Sequence, residues 1–276
     1  MNLTLYAVVF CGVSVFNLGN AQTNSIAVQW KPQTERKASF YKLKEFQSSD
    51  HQESSIEIKS TVSLQLKEKS KDYLQFRLHY QQVIAKQEHI LNPYYAQISG
   101  FLDGLMVIYH TYTDGSSPKI QNWNEIHRHL EDRYEQKRNE LSAEQKQILD
   151  KAWKNQMVRQ NLHAQFLEIE AIHGMIGEEI LSNSPGQYQE LYGADGEEIP
   201  VLTRTFAGKS NEFLQTSETM RETASVGLSS SSLPTIQRRS TLLLQQDLTW
   251  IQSASLKQVI NYAGFRQTEE VQILFH

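Results

Sequence analysis

The chain has 276 residues, with 27 Lys and Arg against 31 Asp and Glu and a formal net charge of −4. That balance gives no positive field for nucleic acid or an anionic membrane surface, while the length is enough to bury one large core. The single cysteine, Cys11, lies inside the first apolar run, so disulfides, thiolate metal sites and thiol nucleophiles are excluded from the rest of the chain.

That first run, Leu3 to Phe16, is uncharged and too short to cross a bilayer as a mature helix, and it reads as the apolar region of a signal peptide. Phe10 is too bulky to precede a lipid-anchored cysteine at Cys11. Gly19-Asn20-Ala21 offers small side chains where a signal peptidase needs them, which predicts cleavage after Ala21. Residues 1–21 are thus a signal peptide, and residues 22–276 form a single α+β domain with no second long apolar run for a membrane span.

Ile26, Val28 and Trp30 alternate until Pro32 breaks the run, and Tyr41 and Leu43 mark a second strand. Ile56, Ile58, Val62, Leu64 and Leu66 fall on even positions, as do Leu74, Phe76, Leu78 and Tyr80 beyond the charged turn Lys67–Asp72. This is a hairpin with one wet face. Residues 93–103 link it to a further hairpin, Leu105 to Tyr112 and Lys119 to Gln121, reversed by Asp114-Gly115.

The period changes from 2 to 3.6 at Asn122. Asn122-Trp123-Asn124-Glu125 has the form of a capping box, and Ser142-Ala143-Glu144-Gln145 repeats it before a stripe of Ile148, Leu149, Ala152, Trp153 and Met157. Leu162, Phe166, Ile169 and Ile176 make a third apolar stripe. The helical block is predicted over about 123–182, ended by Asn183-Ser184-Pro185-Gly186, with 142–182 forming either one bent helix or two. Period 2 returns in 200–206, 211–226, 236–246, 250–262 and 269–275, around a Gly-Ser loop at Gly227–Ser232.

The predicted fold is therefore α+β: a curved, half-barrel-like antiparallel sheet interrupted by a helical block that packs on its inner face. The order of export signal, long hairpins, a short link, a strand-turn-strand ending in Asn122-Trp123, helices and further long strands resembles a group of secreted bacterial envelope proteins of uncharacterised activity. The layout is also similar to the half-barrel with a helical lid of periplasmic lipoprotein carriers such as LolA and LolB. The second resemblance implies an apolar space between sheet and helices and transfers no functional residues.

Chemistry-bearing patterns are few. His163, Glu170 and His173 are the best metal candidates, but a carboxylate three residues before a histidine needs a second such pair on another helix, and none follows. The expected state of His173 is therefore partial burial with Glu170 or water as partner, and no metal or other cofactor is expected. His127 and His129 take nearly opposite faces of a helix. Gly227-Leu228-Ser229-Ser230-Ser231 lacks the second glycine of a nucleophile elbow, and Gly174-Met175-Ile176-Gly177 is expected to end a helix or let it approach its neighbour closely. Arg238 and Arg239 alternate across a strand and are expected to be solvated.

Trp153 and Phe166 are the predicted ligand-binding residues, as walls of an apolar cavity. The expected function is an exported, non-enzymatic binding or interaction protein of the bacterial envelope, in the periplasm or outside the cell, whose partner is a lipid, another apolar ligand or an envelope protein. The alternative class is an exported hydrolase or metal-dependent enzyme whose distant residues converge only in the fold. N-terminal sequencing of protein from the envelope fraction should begin at Gln22; intact Met1 on cytoplasmic protein would remove the export argument.

Overall fold

The computed structural model describes residues 26–27, 35–48, 53–89, 92–156, 166–177, 179–180, 187–192, 198–207, 212–219, 235–245, 250–262 and 264–276. The first part of the chain contributes β1 (Ile26–Ala27), β2 (Glu35–Ser48), β3 (Glu53–Lys69), β4 (Leu74–Glu88), α1 (Tyr95–Gly100), β5 (Met106–Thr111) and β6 (Lys119–Ile120). Next come α2 (Trp123–Asn139), α3 (Ala143–Gln156) and α4 (Leu167–His173). The remainder is β7 (Glu179–Ile180), β8 (Gln187–Tyr192), β9 (Glu198–Ala207), β10 (Glu212–Thr219), β11 (Thr235–Leu244), β12 (Ile251–Tyr262) and β13 (Phe265–Phe275).

β1 pairs with β7, and the other strands form one 11-stranded sheet in the order β6-β5-β4-β3-β2-β13-β12-β11-β10-β9-β8. It is a curved antiparallel sheet with helices on its inner face. Two meanders, β2 to β6 and β8 to β13, meet along β2 and β13, whose register runs from Ser48 opposite Phe265 to Ala38 opposite Phe275.

Alternation puts Ile56, Ile58, Val62 and Leu64 of β3, Leu74, Phe76, Leu78 and Tyr80 of β4, and Leu256, Val271 and Ile273 of β12 and β13 in one buried cluster. α1 packs on β3 and β4, and α4 on β11, β12 and β13. Ile126 and Leu130 of α2 and Leu149 and Ala152 of α3 reach the same core. A smaller cluster, Ile199, Val201, Ile236 and Ile260, occupies β9, β11 and β12.

Several expectations need correction. In β2 the inward residues are Ala38, Phe40 and Lys42, whereas Tyr41 and Leu43 are half-buried on the opposite side. A lysine in the apolar phase had hidden the period. The helical block does not run to residue 182, because Glu179–Ile180 is a strand paired with β1. The stretch after Ser142 contains α3 and α4 as separate helices. The Gly-Ser loop, Trp30, Met157 and His163 lie outside the described residues.

The second capping box forms as its sequence predicts: Gln145 N–H donates to Ser142 Oγ at 3.4 Å, and Ser142 N–H donates to Gln145 Oε1 at 3.0 Å. The first does not. Asn122 precedes α2 but makes no side-chain cap. Its amide instead accepts Ile108 N–H at 2.8 Å and donates to the Met106 carbonyl at 2.9 Å. The side chain thus mimics a strand residue beside β5, where β6 pairs only Tyr109 and His110. This satisfies backbone groups that a bare sheet edge would present to another chain.

Asn122→Ala should cost about 1–2 kcal/mol through the lost pairing. Amide hydrogen exchange at Ile108 should accelerate selectively; exchange unchanged from the wild type would show that Asn122 does not close this edge.

Candidate functional site

The strand registers assemble a row of polar side chains across the inner face. Thr203 stands opposite Ser217, Ser217 opposite Arg238, Arg238 opposite Gln258, Gln258 opposite Glu269, and Glu269 opposite Lys44. Since directly opposed residues share a face, the row runs from β9 to β2 without leaving the interior. Neighbours in the row bind one another: Thr203 and Ser217 hydroxyls lie 2.8 Å apart, Arg238 Nε donates to Gln258 Oε1 at 2.9 Å, and Lys44 pairs with Glu269 at 2.9 Å. Lys42, one step along β2 on the same face, is 1% exposed.

α4 lies over this row and is fastened to it. Tyr80 of β4 donates its hydroxyl to Glu168 Oε1, and Arg238 of β11 donates to Glu170 Oε1. At the end of α4, His173 Nδ1 is 2.7 Å from the Gly115 carbonyl and Nε2 is 2.9 Å from the Tyr109 hydroxyl. The carbonyl only accepts, so Nδ1 carries the proton and Nε2 accepts from Tyr109. Gly177, just beyond α4, has φ +82°, and a Cβ there would come within 2.8 Å of Asp114 Oδ2. The Gly174–Gly177 segment therefore ends the helix and docks it against the β5–β6 turn.

Burial governs the charges. It pushes Lys42 down to about 8, with Lys44 adding repulsion and Glu269 and Glu168 opposing the shift. It pushes Glu168 up to about 7 despite the attraction of Lys42. Burial would also raise Glu269, but Lys44, Lys42 and a hydrogen bond from Gln267 outweigh it and hold this carboxylate below its usual range. His173 is depressed to about 4 by burial, against the opposing effect of the Gly115 carbonyl.

The predicted site residues are therefore divided. Glu170 takes Arg238, while His173 takes Tyr109 and Gly115, so neither serves as the other's partner. His163 lies outside the described residues, among which no group of three His, Cys, Asp or Glu side chains is arranged for a metal. Arg238 is not solvated, since its side chain is only 8% exposed. His129 is bonded to the Phe101 carbonyl at 3.0 Å.

Phe166 is buried between Tyr80 and Trp123, with ring centroids 6.4 and 6.1 Å away. Trp153 is half-buried, stacked on Tyr134 at 4.4 Å with Phe101 at 6.2 Å. It seals the α2–α3 seam, beside Asp150, which accepts from both Tyr134 and Arg138. A cleft of about 410 Å³ lies elsewhere, at the ends of β2, β3, β4 and β13, and Glu45, Glu53, Glu88 and Arg266 make its lining strongly polar.

Sequence reading missed Lys42, Glu168, Glu269 and Lys44. A lysine or glutamate in the buried phase of a strand or helix was the available signal; their convergence is tertiary.

No family model and no curated protein matches the chain. Among solved structures, it is similar to a chain described under "Lipid-protein interactions in lipovitellin", with 9% identity and a TM-score of 0.48 over 89% of this chain. The match spans 25% of that chain's length.

The neutral state of His173 has a signed consequence. Its folded value lies below the ordinary 6.5, so the unfolded chain takes up the proton first as pH falls, and stability is lost between about pH 6.5 and 4. Urea titrations across this range should show that decline shrinking in His173→Asn, whose amide can replace the Nδ1 donor. Parallel pH profiles would contradict a buried neutral His173.

Proposed function

We propose that the chain is an exported, non-enzymatic binding protein of the bacterial envelope that holds an apolar ligand between its curved sheet and helical layer. The observation that carries this reading is the extent of the inner face. The main helix packing falls on β3, β4 and β11 to β13, whereas buried apolar side chains also lie beyond it, Phe213 on β10 and, across the polar row, Val201 and Ile199 on β9. A curved sheet whose buried apolar face reaches past its helical layer is an arrangement suited to enclosing an apolar ligand. Export is supported by the apolar run from Leu3 to Phe16 and the small residues ending at Ala21. The periplasm or the cell exterior is the compartment this implies.

Phe166 is the residue at which fold and ligand are expected to meet, because it stands between the helical layer and Tyr80 of the sheet. Protein purified from its native envelope without detergent should carry a lipid or another hydrophobe detectable by native mass spectrometry. Phe166→Ala should lower stability by about 3–5 kcal/mol and reduce the amount carried. Folded wild-type protein that yields no hydrophobe on solvent extraction, and takes up none from phospholipid vesicles, would overturn the reading.

A further inference from the structure

The outer face of the sheet has a register of its own. Thr268 of β13 stands opposite Glu45 of β2, Glu45 opposite Ser55 of β3, and Ser55 opposite Glu88 of β4. Two residues further along, Arg266 stands opposite Gln47, and Gln47 opposite Glu53. These positions alternate with the buried, inward Ile56 and Glu269, so both rows face away from the helical layer. Together they line the cleft of about 410 Å³ at the ends of β2, β3, β4 and β13, a volume suited to a small molecule.

Charge in this cleft is unbalanced. Glu45, Glu53 and Glu88 set three carboxylates against the one guanidinium of Arg266, and none of the three is in an ion pair among the described residues. The adjoining row differs: Glu57 faces Lys86 and is paired with Lys59 at 2.9 Å, so the negative excess is confined to the cleft. Thr268 adds a separate observation. It is 8% exposed and lines the cleft, and its hydroxyl has no hydrogen-bond partner among the described residues. A polar group so far withdrawn from water is stabilised by a partner that enters the cleft.

We propose that this cleft binds a linear polyamine lying across the strands. The carboxylates stand one to a strand, on β2, β3 and β4, where neighbouring strands are about 4.8 Å apart. They do not gather around a point, and no metal-holding group of side chains occurs among the described residues. The cation that fits has its charge spread along a chain. One end amine donates to Glu45 and to the Thr268 hydroxyl, the middle amine to Glu53, and the other end amine to Glu88, with Ser55 beneath the chain as it crosses β3. Charge-assisted hydrogen bonds of this kind are the strong ones. Arg266 bounds the cleft on the β13 side and repels a chain that overruns it.

The site is on the opposite face from the apolar space, so its test is separate from that of the binding reading. Spermidine is titrated calorimetrically into the full folded chain at low and at physiological salt. Saturable one-site binding should persist at physiological salt. Glu45→Gln and Glu88→Gln should each weaken it about tenfold, Arg266→Gln should tighten it, and Glu131→Gln, at an exposed position on α2, should leave it unchanged. Thr268→Val removes a hydroxyl and no charge, and it should weaken binding while circular dichroism stays that of the wild type. 1,3-Diaminopropane, too short to join Glu45 to Glu88, and trilysine, too bulky between its amines, should both bind more weakly than spermidine. Folded wild-type protein that gives no saturable heat overturns the proposal. Equal losses in Glu131→Gln and Glu88→Gln, or full affinity in Thr268→Val, reduce the binding to diffuse attraction and overturn it as well, and tighter binding of trilysine overturns the assignment to a small polyamine.

Discussion

The structure depends on how α4 is held. Seven residues are too few for a helix to persist on its own, and this one bears Glu168 and His173, polar groups that are costly inside a core, with Glu170 at its partly exposed edge. Each is fastened to a different strand: Glu168 to Tyr80 of β4, Glu170 to Arg238 of β11, and His173 to Tyr109 of β5. Ile169, Ala171 and Ile172 are buried alongside them. Apolar contact supplies the drive to dock, and the polar contacts set where docking occurs, because a shift along the sheet would strand charges in the interior.

That requirement accounts for the polar row. An inner face made only of Val, Leu and Ile would be more hydrophobic but would offer α4 many nearly equivalent positions. The row from Thr203 to Lys44 crosses the strands and divides the apolar surface into two clusters. Buried ion pairs are poor evidence of net stability. Here their geometry is better understood as specificity, a single registry between the helical layer and the sheet.

Much of the architecture was legible in the sequence because solvent imposes a period. The long hairpin of β3 and β4 has one wet face, and its inward residues fall on even positions as the pattern requires; the Ser142–Gln145 box likewise marks the start of α3. The reading failed where tertiary contacts reversed a local preference. Lys42 occupies an apolar phase, so β2 was read one residue out of step. Asn122 has the sequence context of a cap, but its side chain completes the edge of β5. Arg238 has the composition of a surface residue, yet it is buried by Glu170 and Gln258, partners 68 and 20 residues away. None of these partnerships leaves a periodic trace.

The junction of β2 with β13 has a temporal meaning. Ser39 lies opposite Leu274, so strands near the two ends of the described chain are neighbours at the middle of the sheet, and the meanders on either side have no other strand-to-strand connection within it. Pairings this distant in sequence are slow to form. During synthesis, β2 to β6 can assemble locally while the side of β2 that will receive β13 stays open and must wait for nearly all the intervening chain. The molecule therefore closes late and from the centre, and until then it remains an unfinished sheet with one side of β2 unpaired.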